Sequence, residues 1–404
     1  MRVLQICKKF PFPLKDGESI AITHLAKAMT ELGAEVTLLA MNTTKHHVDT
    51  SNLPKNFNHY ESVYFTEIDN RINPVSAFLN LFSSESFHIS RYISRSFEKL
   101  LIQILQKNEF DIIQLETLYL APYIPAIRKH SKAQISMRAH NVEFEIWQRI
   151  TEHTTNPLKK WYLNHLTSKL KKYEIAQLVN YDILVPITDR DAKIFASLGF
   201  KGKMQVVPIG IDKNDYVANN SSFDRELSLS FIGSLDWLPN IEGLNFFLHE
   251  IWPVLHKKFP KLTFHVAGRN TPESLKSKNL PGVVFEGEVA DAVEFLNKHS
   301  VMLVPILSGS GMRAKILEGM ALGKVVITTT IGLEGNEARH KDHLLVADNT
   351  DDFVDCIEYC YKQKDNLAKI GQNAQSFIFE QHHNLELAKR LMNRYKSPSL
   401  IAVS

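Results

Sequence analysis

The sequence predicts an α/β chain of two Rossmann-like domains, each a parallel sheet flanked by helices, with a cleft between them. Three observations predict it. The chain's 404 residues exceed what a single core sustains, roughly 250–300 residues. Short apolar runs alternate with amphipathic stretches, which is the βαβ rhythm of parallel sheets. That rhythm breaks once, near residues 207–220, and then restarts.

In the first half the strand candidates are Arg2–Lys8, Glu35–Met41, Asp111–Glu116, Gln134–His140 and Asp182–Thr188, with a helix expected over Ser19–Leu32. The segments between them are long enough for the helical crossovers that parallel strands need. Pro208, Gly210 and the polar run Asn219-Asn220-Ser221-Ser222 interrupt the pattern. Strands are then expected at Leu227–Gly233, Thr263–Gly268, Val283–Gly287, Val301–Ile306 and Val325–Thr329. A last helical stretch, Leu385–Tyr395, has no strand after it and is expected to return to the first domain. The expected division is 1–212, 213–380 and a returning helix in 381–404.

Composition narrows the function. A formal net charge of +3 over this length gives no global field that would point to nucleic acid. Cys356 and Cys360 share a helical apolar stripe with Phe353 and Ile357, so they read as core residues and not as ligands or a disulfide. No apolar stretch approaches 18 residues, and the opening Met1–Lys9 is broken by charge too early for a signal peptide. A cytoplasmic location is expected.

Ligands of open parallel sheets bind beyond the carboxyl ends of the strands. After the first strand runs the proline-rich loop Phe10–Ser19, which holds Gly17 just before a helix. No G-x-G-x-x-G follows either opening strand, which counts against a dinucleotide cofactor. The most informative segment is 304–323, where a strand leads into Ser308-Gly309-Ser310-Gly311-Met312 and a helix opens with Arg313 and Lys315. Cations at a positive helix end cost about 0.3–1 kcal/mol each. A bound diphosphate would offset that, held by loop N–H groups and charge-assisted bonds. Glu318, about one turn on, is placed to accept hydroxyl donors from a ribose. Asp189-Arg190-Asp191 has the D-x-D spacing of a metal motif, but it follows a strand and opens a helix, where aspartates are expected to cap N–H groups and complement the dipole. Asp351-Asp352 reads the same way, and no set of side chains has metal-site spacing, so no metal and no cofactor are expected. The stretch Leu158–Tyr173 mixes lysines with Trp161, Tyr162 and Tyr173, a composition suited to anionic lipid headgroups and hence to peripheral membrane contact.

With its glycine turn, Phe231–Asn240 and Val207–Asp212, the sequence resembles the family-four retaining glycosyltransferases of GT-B fold, group 1 type. The resemblance spans most of the chain and implies a metal-independent transfer from a nucleotide-sugar (UDP-, GDP- or ADP-sugar) to a glycan or lipid-linked acceptor, in polysaccharide, lipopolysaccharide or glycolipid assembly. It implies that Glu318 is the second glutamate of the E-x(7)-E motif, on the donor ribose. Ser310 stands where the first would be and, with neighbouring N–H groups, is expected to take its place on the donor sugar. Ser234 and Asn240 stand near where many relatives place an Arg and a Lys, so Arg313 and Lys315 are expected to supply the charge on the diphosphate. His140 matches the histidine that contacts the donor sugar. Gly17, Gly233, Ser234, Gly268, Arg269, Val289, Ser308, Gly309, Gly311 and Met312 are expected to border the donor, and Arg138, Asn141 and Glu143 to meet the acceptor or to support His140. Two other readings use the same residues: a nucleotide-sugar epimerase of this architecture, and a nucleotide-sugar-binding protein without catalysis.

Overall fold

The computed structural model describes residues 1–14, 16–50, 53, 57–71, 80–83, 85–152, 154–276, 280–309 and 311–397. The chain divides into two units, Met1–Gly210 with Asn384–Ser404, and Ile211–His383.

The first unit is built on β1 (Arg2–Cys7), β2 (Glu35–Thr43), β3 (Ser62–Ile68), β4 (Ile112–Leu115), β5 (Gln134–Ala139), β6 (Ile183–Pro186) and β7 (Lys203–Met204). They form one sheet in the order β3-β2-β1-β4-β5-β6-β7, and every pair is parallel. The order reverses at β1, which pairs with β2 on one side and β4 on the other, so the two loops leaving β1 and β4 diverge there. Buried side chains cover both faces. One layer joins Leu4, Ile6, Leu115 and Ile135 to the helix Arg95–Lys107; the other joins Val3, Val36 and Val185 to the helix Gly17–Glu31. Leu387, Leu391, Met392 and Tyr395 of the last helix, Asn384–Lys396, belong to that second layer.

The second unit repeats the plan with β8 (Ser228–Ile232), β9 (Thr263–Ala267), β10 (Val283–Gly287), β11 (Val301–Val304), β12 (Val325–Thr328) and β13 (Leu345–Val346), in the order β10-β9-β8-β11-β12-β13. Again every pair is parallel, and the order reverses at β8. β8, β11 and β12 are almost wholly buried, which is why they appear as near-continuous apolar runs.

Three strands lie outside the expected set. β3 is half exposed along most of its length, so its apolar signal is weak, and β7 and β13 have only two residues each. The capping expectation at 189–191 is corrected. Thr188 is the N-cap, its side chain accepting from the Asp191 N–H, while Asp189 and Asp191 occupy the first turn and complement the helix dipole. Likewise Asn349, and not Asp351 or Asp352, caps the helix Thr350–Lys362. Cys356 and Cys360 are buried, unbridged core residues.

Candidate active site

In the second unit, polar groups gather where β8 and β11 separate. β8 ends at Ile232, and the chain turns through Gly233 and Ser234 toward the helix Leu238–Phe246. From the far side of the glycine turn, Lys315 reaches across: its Nζ donates to the Ile232 carbonyl at 3.0 Å and to Asn240 Oδ1 at 2.8 Å. The ammonium also sits 5.0 Å from the centroid of the Phe231 ring. Gly233 is needed for that approach, because a Cβ there would stand 2.6 Å from Lys315 Nζ and 2.8 Å from Asn240 Nδ2. Gly268, at the end of the neighbouring strand, has the same character: a Cβ would lie 2.2 Å from the Gly233 carbonyl oxygen. Burial pulls Lys315 down from 10.5 to about 7, with Arg313 adding to the effect and Glu318 opposing it. The site therefore holds a lysine that a bound anion would recharge.

Glu318 lies one turn further along the helix Ala314–Ala321. Tyr216, 102 residues away in sequence, donates to its Oε1 at 2.9 Å. Burial raises Glu318 above the usual carboxylate range, against the Tyr216 hydrogen bond and the charge of Lys315.

Gly309 and Gly311 adopt φ of +103° and +82°, which only glycine takes readily, so this turn requires both. Ser308 Oγ donates to Glu242 Oε2 at 2.6 Å, tying the turn to the helix Leu238–Phe246. Arg313, expected in the first helical turn, is instead the N-cap position, with no capping hydrogen bond from its side chain. It curls back, Nη1 donating to the Gly311 carbonyl at 2.7 Å and the guanidinium lying 5.9 Å from the Trp237 ring centroid. This bracing holds the shape of the turn. Gly311 and Met312 are buried and Ser308 and Gly309 half-buried, while Ser310 lies outside the described residues. Ser234 Oγ bonds Asp236, the Arg269 carbonyl accepts from the Leu235 N–H at 2.9 Å, and Val289 is half-buried in the loop after β10.

In the first unit the polar cluster lies beyond β1, β4 and β5. His140, only 7% exposed, follows β5, and its Nε2 lies 3.0 Å from Oε2 of Glu116, which directly follows β4 and is wholly buried. Gln5 Nε2 donates to Glu116 Oε1 at 2.6 Å, and Gln114 Nε2 donates to the same oxygen. Behind Gln114 stands Tyr395 of the returning helix, whose Oη donates to Gln114 Oε1 at 2.7 Å. Arg138 is 1% exposed, donates to the Ala21 carbonyl at 2.8 Å, and places Nη1 3.8 Å from Glu116 Oε2. Of its two expected roles, acceptor contact is therefore corrected: burial leaves it only the support of Glu116. Glu143 opens the helix Glu143–Glu152, is buried, and accepts from Tyr119 Oη at 2.9 Å. Asn141 is half-buried beside it. Gly17 is the first residue of its helix, capped by Asp16. The next residue, Glu18, pairs with Lys8 at 3.4 Å and Lys9 at 3.7 Å. Although burial opposes ionisation, those lysines and His140 hold Glu18 at about 2. Among the described residues no group of three or more His, Cys, Asp or Glu side chains is placed to hold a metal ion.

Sequence reasoning missed Glu116, Tyr216 and the lysine pair at 8–9. Glu116 had a usable signal, since it is the residue at which a buried strand reaches the sheet's ligand-binding end.

Residues 226–363 match the family model described as glycosyl transferases group 1. A relative from Klebsiella pneumoniae, described as an uncharacterized 44.6 kDa protein in cps region, is 22% identical over 395 residues, covering 94% of this chain and 96% of its own length. Among solved structures, sucrose-phosphate synthase from Thermosynechococcus elongatus superposes with a TM-score of 0.69 at 14% identity, over 98% of both chains. Anabaena Alr3699/HepE in complex with UDP gives 0.67 at 14% identity, over 97% of this chain and 99% of that one. The Escherichia coli trehalose-6-phosphate structure bound with UDP-2-fluoro glucose gives 0.64 at 13%, over 99% and 100%. The two parallel sheets thus have the GT-B architecture, and the second unit carries a group 1 glycosyl transferase domain.

Proposed function

We propose that this chain, with a group 1 glycosyl transferase domain in its second unit, moves a sugar from a nucleoside diphosphate sugar to an acceptor hydroxyl, with retention at the anomeric carbon and without a metal. One observation carries the reading: Lys315, Asn240 and Gly233 converge beyond β8, with Glu318 one turn along the same helix. A half-buried ammonium beside a glycine turn suits a diphosphate, and a half-buried carboxylate with one hydrogen-bond partner suits a ribose diol.

In this reaction the bond between the anomeric carbon and the phosphate oxygen breaks, and a glycosidic bond to the acceptor oxygen forms on the same face. The acceptor proton passes to the departing phosphate oxygen, so no protein nucleophile is required. Lys315 and the N–H groups of the glycine turn stabilise the charge that develops on the diphosphate, and such electrostatic stabilisation commonly contributes most of the rate enhancement. Arg313 keeps the turn in shape from Gly311. His140 orients the sugar.

UDP-sugars are the first donors to test, because solved structures of this architecture hold UDP or a UDP-sugar. The relative encoded in a cps region supports a role in capsular or related polysaccharide assembly. We place the acceptor at a membrane surface. Leu158 and Trp161 are 81% and 63% exposed on the helix Pro157–Gln177, beside Lys159 and Lys160, a face suited to anionic headgroups. No helix among the described residues is long and apolar enough to cross a membrane. Sedimentation with anionic liposomes at low salt tests that placement, and a chain left in the supernatant would remove it.

The experiment for the reaction is incubation with UDP-, GDP- and ADP-sugars and glycan acceptors, reading nucleotide release and the product's anomeric configuration by NMR. A product of unchanged configuration is expected. Tight binding without release would favour a sensing protein, and an inverted product would overturn retention.

A further inference from the structure

We propose that Glu116 is a positioning residue that sets the tautomer of His140, so that the ring presents Nδ1 outward as an acceptor for a sugar hydroxyl. The inference rests on the reading that His140 meets the donor sugar.

The geometry fixes the hydrogens one after another. Glu116 is wholly buried, and both oxygens have partners: Oε1 receives the Gln5 and Gln114 amides, Oε2 faces His140 Nε2 at 3.0 Å and Arg138 Nη1 at 3.8 Å. Burial alone would favour the neutral acid, but His140, Arg138 and Gln114 outweigh it and lower its pKa. An ionised carboxylate only accepts. The two glutamines must therefore turn their NH2 groups toward it, which agrees with Tyr60 Oη donating to Gln5 Oε1 at 3.0 Å and Tyr395 Oη to Gln114 Oε1. By the same argument His140 Nε2 carries the hydrogen. In the neutral ring the lone pair then sits on Nδ1. Nδ1 has no protein partner among the described residues, and it is not among the enclosed unpaired atoms. It is the ring's free acceptor.

The arrangement makes an isosteric variant informative. In Glu116→Gln, one oxygen must remain where the Gln5 and Gln114 amides converge, because an NH2 group there would face two donors. The new NH2 group therefore faces His140, Nε2 becomes the acceptor and Nδ1 carries the hydrogen. A group that merely filled space would not change the ring in this way.

Histidine nitrogen NMR on the ¹⁵N-His-labelled full chain reads this directly, with the His140 signals identified by their loss in His140→Ala. In the unliganded wild type at a pH where the ring is neutral, hydrogen on Nε2 is expected; hydrogen on Nδ1 would overturn the proposal. In Glu116→Gln the hydrogen is expected to move to Nδ1, and an unchanged pattern would overturn it. The wild-type measurement stands alone if the variant fails to fold. A second arm compares affinities for UDP-glucose and UDP, since their ratio isolates contacts to the sugar. His140→Ala is expected to reduce that ratio by about tenfold, the worth of one well-placed hydrogen bond, and Glu116→Gln by less, because a hydroxyl can also accept from Nδ1–H. If His140→Ala keeps the wild-type ratio, the reading of His140 as a sugar contact fails, whereas a tautomer that ignores Glu116→Gln removes only the role of Glu116.

Discussion

Lys315 Nζ and Gly233 are in contact that leaves no room for a side chain: a Cβ on Gly233 would lie 2.6 Å from the ammonium. The glycine is thus a requirement of the lysine's position, and the lysine's position defines the proposed diphosphate site. In Gly233→Ala the flexible Lys315 side chain can swing aside, so the fold should survive, with stability changed by no more than about 1 kcal/mol. Nucleotide-sugar binding should drop at least about tenfold as the hydrogen bonds of the ammonium to Ile232 and Asn240 are lost. Denaturant melts and calorimetric titration of the same samples separate the two effects.

Binding should be coupled to proton uptake. Unliganded Lys315 titrates at about 7, because burial lowers it, and a diphosphate beside it would push it back toward its ordinary 10.5. Affinity is then highest below pH 7, where the ammonium is already charged. It falls as pH rises through 7, by up to about tenfold per pH unit until the liganded pKa is reached. Calorimetry at pH 8 in two buffers of different ionisation enthalpy should reveal the uptake, and Lys315→Met should abolish it.

The same depressed value affects the free protein. Between about 7 and 10.5 the unfolded chain holds a proton on Lys315 that the folded chain does not. The lysine's contribution to stability therefore rises with pH across that window and is least favourable below 7. Urea midpoints for the wild type and Lys315→Met, compared from pH 6 to 9, should converge as pH increases.

Tyr216→Phe removes the hydrogen bond to Glu318 and leaves a half-buried carboxylate with less to hold it ionised. A loss of about 1–2 kcal/mol is expected on unfolding. Nucleotide affinity should weaken with it, by about tenfold relative to the wild type at the same pH. A variant with unchanged affinity at every pH would separate Tyr216 from the site.

Much of the fold was legible because buried parallel strands appear as unbroken apolar runs: β8, β11 and β12 were anticipated on that signal, and the more exposed β9 and β10 from short apolar runs between helical stretches, all with ends within two residues. β3 was not, because its exposed Phe65 and half-exposed neighbours dilute that signal. Lys315 and Glu318 could be singled out because they follow a glycine turn in one short segment. Their partners could not. Tyr216 meets Glu318 across 102 residues, and Tyr395 meets Gln114 across 281, separations that only the folded sheet brings together. Arg313 shows the opposite case, since its spacing suggested a free cation and the structure folds it back onto Gly311.

The most direct test of the diphosphate site is calorimetric titration of the wild type and of Glu318→Ala and Lys315→Ala with UDP, GDP and ADP, with circular dichroism to establish that the variants are folded. One nucleotide should bind the wild type, and each substitution should weaken it at least about tenfold. Folded variants that bind that nucleotide as tightly as the wild type would contradict the assignment of Lys315 and Glu318 to the donor.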